Sequence, residues 1–371
     1  MKVAIDAATF CGVYDAGKEE VLQSLLRGFT KLGHGSELLI ICTRNRLERL
    51  QQLAPQAEYY CYDDIDNDNS LTKNLKLQWR NEYWLPKIIR RYGVDLIFFT
   101  NKMSTFHKLA VPSVALLHDV QPLSHPDRFN QLGGIKLKIG LRLDYRYRDK
   151  LVAISKNDQA EQAQCFPQYV DKCVLLYNPV YAQACTVLPT QRQQTIVAIN
   201  LRYKHKNGIT LVKAFAKLLD KVPHDLLIVG AFEEEVMKLV AYVNEQGMQN
   251  RVRFLGKISD EAKLEVLSRA SLFVNPSLYE GFGITPIEAM LAGVPTLTTK
   301  ESATPEITRQ LCRYYEPATD ADALAEAMLQ ILHNPPSETE LLEIAQTIDA
   351  AYNYKKIAAD YWQLFTDMLS S

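Results

Sequence analysis

Residues 272–294 of this 371-residue chain read LFVNPSLYEGFGITPIEAMLAGV and carry its strongest local signal. A short apolar strand, Leu272–Val274, leads into a glycine-rich turn. A helix is predicted to begin after the turn, with Thr285 as its N-cap, Pro286 at its first position and Glu288 at its third. A strand, a turn and a helix in this order form the repeating unit of a parallel sheet covered by helices.

Short apolar strands alternate with amphipathic helices on both sides of this stretch. Apolar residues recur at helical spacing over 19–32 and 207–222, which predicts a helix in each range. The predicted strands are Val3–Asp6, Glu37–Cys42, Asp95–Phe99, Val114–Leu117, Leu151–Ile154, Cys173–Leu176, Thr195–Ile199, Asp225–Val229, Val252–Leu255 and Leu272–Val274. The alternation predicts an α/β fold in which helices cover both faces of parallel sheets.

One polar, irregular segment, Val180–Gln194, interrupts the alternation and marks a predicted domain boundary. A chain of 371 residues has the length expected of two domains of about 150 residues each. We therefore predict two doubly wound domains, residues 1–180 and 185–350. Such folds bind ligands at the carboxyl ends of their strands, and two facing domains would place the site in the cleft between them.

The composition argues against several classes of protein. Lys and Arg number 42 against 43 Asp and Glu, and this net charge of −1 disfavours a globally basic nucleic-acid binder. The seven cysteines include no C-x-x-C pair, so they predict reduced thiols of a cytosolic protein. The N-terminus has an Asp within its apolar stretch and is interpreted as a strand, not a signal peptide. No apolar run reaches the roughly 18 residues of a membrane span.

The turn in the opening stretch has the features of an anion site. Backbone N–H groups at a helix start and the positive end of the helix dipole attract a phosphate, and Gly281 and Gly283 allow a ligand close to the backbone. Glu280 and Glu288 are then placed to flank a diphosphate and to bind hydroxyls on either side. The alternative explains Glu288 by a capping box with Thr285, and Glu280 as an ordinary loop acid.

Residues 280–299, EGFGITPIEAMLAGVPTLTT, followed by a Pro-Glu-Ile at 305–307, resemble the signature of glycosyltransferase family 4, whose members are retaining enzymes with the GT-B fold. Its hallmark is two glutamates separated by seven residues, which Glu280 and Glu288 match. Further segments agree in order: MKVAIDAATF, LLHDVQPLSHPDRF, VAISKND, LLYNPV and KHKNGITLVKAF. The resemblance implies the GT-B fold: two Rossmann-like domains facing a central cleft, with a C-terminal helix, 354–371, completing the first.

In this family the first glutamate contacts the donor sugar and the second contacts the nucleotide ribose. The resemblance therefore implies that Glu280 binds hydroxyls of the donor sugar and that Glu288 binds the ribose. The first domain would serve the acceptor and the second the nucleotide-sugar donor. The residues whose backbone would hold the sugar and the diphosphate are Phe282, Gly283, Ile284 and, at the helix start, Thr285.

A basic turn, NLRYKHKN at 200–207, supplies candidate cations. A departing nucleotide diphosphate gains negative charge, and fixed cations stabilise it without reorganisation. Family members place an Arg and a Lys here, so the resemblance assigns these roles to Arg202 and Lys206. The family has a glycine where Asn200 stands and a different Arg spacing, so Lys204 is an alternative to Arg202. A solvated basic turn is the other interpretation.

The first domain contributes further candidates. His118 follows the predicted strand Val114–Leu117, and the resemblance implies that it lines the donor-sugar pocket through a hydrogen bond; a structural histidine is the alternative. Gly12 and Gly17 would belong to a loop over donor and acceptor. This loop nearly matches a nucleoside-triphosphate-binding loop, but Glu19 stands where that loop needs Ser or Thr.

Residues 133–150 carry six cations against two aspartates, a net charge of +4, interleaved with apolar side chains. One interpretation is a core helix with solvated charges. The other is contact with a membrane surface or with an anionic, lipid-linked acceptor.

Together these observations predict a retaining glycosyltransferase that moves a hexose from a nucleotide diphosphate sugar, of the UDP-glucose or GDP-mannose type, to a hydroxyl of a glycan or lipid-linked acceptor. The predicted catalytic residues are His118, Lys206 and Glu280. No metal, other cofactor or nucleic-acid partner is expected, and the predicted location is the cytoplasm or the inner face of the membrane. The alternatives are a nucleotide-sugar 2-epimerase of the same fold, a non-catalytic nucleotide-sugar-binding subunit, and a metal-dependent transferase using Asp64 and Asp66.

Overall fold

The computed structural model describes residues 1–8, 16–62, 79–101, 105–125 and 131–370. The chain forms two compact units. The first comprises Met1–Tyr181 together with the segment from Tyr354 onward, and the second comprises Ala182–Asn353. Each unit contains one parallel β-sheet with helices packed around it, so the predicted α/β class is confirmed.

In the part of the first unit that the structure describes, the sheet has seven strands in the order β3-β2-β1-β4-β5-β6-β7, and every neighbouring pair is parallel. The strands are β1 Val3–Asp6, β2 Leu38–Thr43, β3 Glu58–Tyr62, β4 Leu96–Phe99, β5 Ser113–Leu116, β6 Lys150–Ala153 and β7 Cys173–Leu175. The chain moves outward from β1 in both directions, which is the doubly wound topology. All residues of β1, β2, β4 and β5 are buried, as expected of strands covered on both faces.

The helices of the first unit connect these parallel strands. They are α1 Ala16–Lys31, α2 Leu47–Leu53, α3 Leu85–Tyr92, α4 Gln121–Ser124, α5 Gln131–Tyr147 and α6 Lys156–Cys165. The N-terminus of α6 is capped by Ser155, whose hydroxyl accepts the N–H of Asp158 at 3.0 Å. Within the described residues, no helix is both long and apolar enough to cross a membrane.

The sheet of the second unit has six parallel strands in the order β10-β9-β8-β11-β12-β13. The strands are β8 Gln193–Ile199, β9 Asp225–Val229, β10 Val252–Gly256, β11 Ala270–Asn275, β12 Thr296–Thr299 and β13 Arg313–Tyr315. The helices are α7 Gly208–Ala216, α8 Glu234–Glu245, α9 Asp260–Arg269, α10 Ile284–Leu291, α11 Thr304–Ile307, α12 Ala321–His333 and α13 Glu338–Tyr352. Because β8 and β11 are neighbours, the turns that follow them lie side by side at the carboxyl edge.

The last helix, α14 Tyr354–Ser370, packs against α1 of the first unit. Phe29 contacts Trp362 and Phe365, with ring centroids 5.4 and 6.0 Å apart. At the helix crossing, a Cβ added to Gly28 would lie 2.4 Å from the Cβ of Ala358. A glycine is therefore needed in α1 to let the two backbones approach closely.

The start of α10 differs from the sequence prediction. The helix begins at Ile284, and its N-cap is Gly283 with φ +88°. Thr285 is therefore not the N-cap, and the capping box between Thr285 and Glu288 is wrong. Gly283 adopts this backbone conformation without steric cost, so the helix begins two residues earlier than predicted. Pro286 remains within the first turn, where its missing N–H loses no helical hydrogen bond.

Candidate functional site

The closest pair of predicted site residues is Lys206 and Glu280, at the carboxyl edge of the second sheet. Lys206 ends a short 3-10 turn that follows β8, and Glu280 lies in the loop that follows β11. The Lys206 ammonium nitrogen is 2.7 Å from Oε1 of Glu280 and 2.9 Å from Oε2. The Glu280 side chain is 9% exposed and that of Lys206 is 18% exposed, so the lysine is the less buried partner. The turn at 204–206 is thus an ion-paired turn, not a fully solvated one.

Glu280 is held in its ionised form. Burial by itself raises the pKa of this carboxyl, but the charge of Lys206, its hydrogen bonds and a hydrogen bond from Ser277 outweigh burial. The pKa of Glu280 consequently lies below the ordinary glutamate value. At neutral pH the side chain is therefore a hydrogen-bond acceptor, which suits it to bind hydroxyl groups.

The backbone of Glu280 is fixed by the loop after β12. Its N–H donates to the hydroxyl of Ser302 at 2.8 Å, and that hydroxyl donates to the carbonyl of Glu280 at 3.0 Å. At the end of β11, the amide of Asn275 donates to Oε1 of Glu280 at 3.4 Å. The carboxylate is thus oriented before any ligand arrives.

Asn207 joins three turns of the same edge. Its side-chain amide donates to the carbonyls of Pro276, at 3.1 Å, and Ala318, at 2.8 Å, and its oxygen accepts the hydroxyl of Thr210 at 2.7 Å. Asn207 has φ +54°, a conformation that asparagine tolerates better than most residues. Its contacts hold the turn with Lys206 against the loops that follow β11 and β13.

The start of α10 lies directly after Glu280. Phe282 is buried and packs edge-on against Tyr352 at 5.3 Å, while Gly281, Ile284 and Thr285 are half-buried. The first N–H groups of a helix have no partner within it, and they carry its positive dipole end. Glu280 and this helix start are close in sequence, so the loop places an acceptor and an anion-attracting group next to each other.

Glu288, the second predicted glutamate, is the fifth residue of α10. Its side chain is 7% exposed, and its Oε1 accepts a hydrogen bond from the ammonium of Lys263 at 2.6 Å. Lys263 belongs to α9, and its side chain is 17% exposed. Each of the two glutamates therefore has a lysine partner from a different element of the same unit.

Arg202 and Lys204, the alternative second cations, lie on the turn after β8. The guanidinium of Arg202 donates to Glu233 at 3.2 Å and lies 4.7 Å from the ring centroid of Tyr203. Lys204 is exposed. Asn200 has φ +60°, which explains in physical terms why asparagine stands where the resembled family has glycine.

His118 lies in the first unit, two residues after β5. It is 6% exposed, has φ +64°, and its Nε2 is 2.9 Å from the carbonyl oxygen of Thr100. A carbonyl accepts only, so this contact places a proton on Nε2. The hydroxyl of Thr100 donates in turn to the carbonyl of Asp6 at 2.7 Å. His118 is thus connected to the ends of β4 and β1.

The remaining predictions in the first unit are covered only in part. Gly12, Asp64 and Asp66 lie outside the described residues. Gly17 is the second residue of α1, and Glu19, in the same first turn of the helix, pairs with Arg46 at 2.9 Å.

The basic segment 133–150 is not one helix. The helix α5 ends at Tyr147, and Arg148 is fully buried, where it donates to Thr105 and to the carbonyl of His107 at 2.6 and 2.7 Å. Lys150 begins β6. The interpretation of 133–150 as a core helix with solvated charges is therefore wrong for its last residues, because the helix ends at Tyr147 and Arg148 is buried. The exposed apolar residues of α5 include Ile135 and Ile139.

A cavity of about 310 Å³ in the second unit lies away from these residues. Its lining includes Met290, Val294, Ile331 and Leu341, from α10, the loop before β12, α12 and α13. None of the predicted site residues lines it. The cavity therefore adds nothing to the arrangement around Glu280.

Sequence reasoning missed four residues that shape this edge, namely Asn207, Ser302, Asn275 and Lys263. Asn207 entered the prediction only as a neighbour of Lys206. A signal existed for it, because an asparagine just before a helix is a frequent cap or left-handed residue. No local pattern marks Lys263, since its partner lies 25 residues away on another helix.

The two halves of the chain match two family descriptions. "Glycosyltransferase Family 4" matches residues 16–183, and "Glycosyl transferases group 1" matches residues 186–347. The chain is 24% identical over 264 residues to the O-antigen chain mannosyltransferase RfbU of Salmonella typhimurium, covering 70% of this chain and 72% of RfbU. It is 27% identical over 186 residues to the N-acetyl-alpha-D-glucosaminyl L-malate synthase of Bacillus anthracis, covering 48% of this chain and 47% of that protein.

The fold is also similar to that of HepE from Anabaena, solved in complex with UDP and glucose. The TM-score is 0.74 at 16% identity, and the alignment covers 99% of this chain and 100% of HepE. Agreement over the whole length of both chains shows the GT-B fold.

Proposed function

Because the chain belongs to the GT-B glycosyltransferases whose two family descriptions match its two halves, we propose that it transfers a hexose from a nucleotide diphosphate sugar to a glycan or lipid-linked hydroxyl. The observation that carries the proposal is the Lys206–Glu280 pair beside the start of α10. It combines a cation, an ionised acceptor and a helix N-terminus. These three groups match the phosphates and the sugar hydroxyls of such a donor.

Lys206 has two tasks in this proposal. An ammonium has three donors, and Lys206 lies within hydrogen-bond distance of both Glu280 oxygens, so one donor remains for a phosphate oxygen. The first N–H groups of α10, with the backbone of Phe282 and Gly283, would bind the same diphosphate. Negative charge grows on the diphosphate as it leaves, and these fixed groups would stabilise it more strongly in the transition state than in the bound donor.

Glu280 would orient the donor sugar and Glu288 the ribose. Glu280 lies next to Lys206, so sugar hydroxyls bound to Glu280 would lie close to the bond between the sugar and the diphosphate. Glu288 lies about one helical turn after the first residue of α10, and its carboxylate accepts a hydrogen bond from Lys263. Either Arg202 or Lys204 would add the second positive charge.

We propose that the sugar is transferred with retention by substitution on one face. The bond between the anomeric carbon and the phosphate oxygen breaks, the acceptor oxygen bonds to the same carbon, and the acceptor proton passes to the departing phosphate. Positive charge from lysine and the helix end would take the place of a metal ion. Full activity in excess EDTA is the expected result; loss of activity restored by a divalent cation would contradict the metal-independent part.

The acceptor is the remaining component of the proposed reaction. RfbU is named for an O-antigen chain and the Bacillus anthracis relative for L-malate, so the names of these two relatives include both a polysaccharide and a small acid. We propose a glycan or lipid-linked acceptor at the cytoplasmic face of the membrane. Ile135 and Ile139, which are 56% and 50% exposed on α5, would provide apolar contact with that face.

The test begins with the donor. Purified protein is heated with a panel of nucleotide sugars that includes UDP-glucose and GDP-mannose, because a ligand that binds the native state raises the melting temperature. The donor with the largest shift is then incubated with and without acceptor, and the products are identified by NMR. Transfer with retained anomeric configuration is expected. An epimerised donor without acceptor would favour the 2-epimerase, and binding without transfer or hydrolysis would favour the non-catalytic subunit.

A further inference from the structure

The side chain of Lys263 extends from α9 to the buried carboxylate of Glu288 on α10. Lys263 lies in the first turn of α9, whose N-cap Ser259 accepts the N–H of Ala262 at 3.2 Å. Its ammonium nitrogen is 2.6 Å from Glu288 and 3.5 Å from Asp260. Asp260 is 86% exposed, whereas Glu288 is 7% exposed, so the contact that matters energetically is the one with Glu288.

A buried carboxylate needs a compensating partner. Without one, an ionised group loses its hydration and is strongly destabilised or becomes protonated. Lys263 supplies a full positive charge at hydrogen-bond distance and fixes the direction in which one carboxylate oxygen points. A carboxylate has four acceptor positions in all, so such a contact is compatible with a ligand bound to the same group.

The pair repeats the arrangement at Glu280. There, Lys206 holds a buried glutamate whose predicted ligand is a hydroxyl-bearing sugar. At Glu288, Lys263 does the same from a different helix, and its own side chain is 17% exposed, close to the 18% of Lys206. Both glutamates are therefore held on one side by the ammonium of a partly exposed lysine side chain.

We propose that Lys263 is a positioning residue that orients Glu288 to accept hydrogen bonds from the 2′ and 3′ hydroxyls of the donor ribose. This inference rests on the proposed function. A vicinal diol has two O–H donors, and a carboxylate fixed by a cation can accept both. Lys263 would not touch the ribose itself; it would act through Glu288.

If the ion pair between Lys263 of α9 and Glu288 of α10 were purely structural, its removal would lower the stability of the protein and leave ribose recognition unchanged. The discriminating measurement compares nucleotides that differ only in their ribose hydroxyls. UDP and GDP are titrated into the wild type by calorimetry, and each is compared with its 2′,3′-dideoxy analogue. Of UDP and GDP, the one that binds more tightly is used. We expect its affinity for the wild type to exceed that of its dideoxy analogue by at least 10-fold, since a hydrogen bond to a charged group contributes about 1.5–3 kcal/mol.

The Lys263→Met variant should bind the ribonucleotide at least 10-fold more weakly and lower its preference over the dideoxy analogue to less than about 3-fold. The Lys263→Arg variant keeps a cation and should restore most of that preference. Lys238→Met is the matched control, because Lys238 pairs with Glu234 and Glu235 on the surface and is 57% exposed. The control should behave as the wild type.

Three outcomes decide the matter. If the Lys263→Met protein remains folded and discriminates ribose hydroxyls as well as the wild type, Lys263 is only structural and the inference is wrong. If Lys263→Met does not fold, Lys263→Arg and Lys263→Gln are compared, and equal discrimination in both also overturns the inference. If the wild type binds neither UDP nor GDP nor any nucleotide sugar of the panel, the proposed function fails first.

Discussion

The two units both place ion-paired side chains at the carboxyl edge of a parallel sheet, but the pairs differ in what surrounds them. In the first unit, Asp6 pairs with Arg80 at 3.2 Å, and their side chains are 1% and 4% exposed. In the second unit, Lys206 and Lys263 pair with glutamates while keeping nearly a fifth of their own surface in solvent. An enclosed pair supports the fold, whereas a pair with a partly exposed lysine side chain is also open to a ligand.

The hydrogen bonds at the two edges follow the same division. Asp6 accepts the N–H of Ala8 at 3.1 Å, and Arg80 lies 4.7 Å from the ring centroid of Tyr62. These contacts enclose the pair within the protein, although Nη1 of Arg80 has no hydrogen-bond partner among the described residues. At the other edge, the loop with Glu280 ends in a helix start whose first N–H groups have no partner inside the helix. The variants below test whether the two edges differ in this way.

The largest expected effect on stability is that of Arg80→Met. It leaves the Asp6 carboxylate buried without its cation, and breaking a buried ion pair in this way costs about 3–5 kcal/mol of unfolding free energy. Urea unfolding measures it, and the dissociation constant for UDP or GDP should change by less than 3-fold. Arg49→Met is the control, because Arg49 is 59% exposed in its pair with Glu19. Unchanged stability of Arg80→Met would contradict the structural assignment of this edge.

The largest expected effect on catalysis is that of Lys206→Met. Removing one preorganised group that stabilises the charge of a transition state typically lowers turnover about 10²–10³-fold. The measurement is kcat/KM with the donor identified in the panel. Lys217→Met, which removes a surface lysine paired with Asp322 at 2.7 Å, is the matched control and should retain activity.

The double variant Lys206→Met with Glu280→Gln separates catalysis from stability. It removes both charges of the pair, so no unpaired charge remains buried, and its unfolding free energy should lie closer to the wild type than that of Lys206→Met. Its activity should stay as low as that of the single variant. A double variant that transfers sugar at the wild-type rate would exclude both residues from the mechanism.

The pH dependence tests the state of Glu280. Its pKa is below the ordinary glutamate value, so the carboxylate persists as the pH falls through 4.5 and is lost only at lower pH. The acid limb of kcat/KM that belongs to Glu280 should therefore lie at lower pH than the titration of an ordinary glutamate. In Lys206→Met the opposing cation is gone, so burial is no longer outweighed and the limb should move to higher pH. A limb that does not move would show that Lys206 does not keep Glu280 ionised.

The sequence was sufficient to predict the fold class and ten of the thirteen strands within the described residues. The three strands that it missed are β3, β12 and β13. The first and the last are edge strands, rich in half-exposed tyrosine or only three residues long, and β12 reads TLTT, in which buried threonines replace the expected apolar run. Hydrophobic runs identify central strands because those are buried on both faces, and this signal fails for the other three.

The same limit applies to the candidate site. Lys206 and Glu280 follow strands that are neighbours in the sheet, so their proximity follows from the topology that the sequence indicates. The approach of Lys263 to Glu288 depends on how α9 and α10 are rotated about their axes, which packing decides. The start of α10 at Ile284 depends on the left-handed conformation of Gly283. The sequence prediction missed it because Thr285 and Glu288 fit the pattern of a capping box.

The smallest predicted effect concerns His118, which the structure ties to the carbonyl of Thr100. Asparagine tolerates the φ of +64° at this position and keeps a side-chain N–H donor, so His118→Asn should lower the melting temperature by only a few degrees. If the ring also binds the donor sugar, kcat/KM should fall about 10-fold, the value of one hydrogen bond of about 1.4 kcal/mol. Steady-state kinetics with the identified donor measures it. A folded variant with unchanged kcat/KM would place His118 with Asp6 and Arg80, among the groups that only hold this edge together.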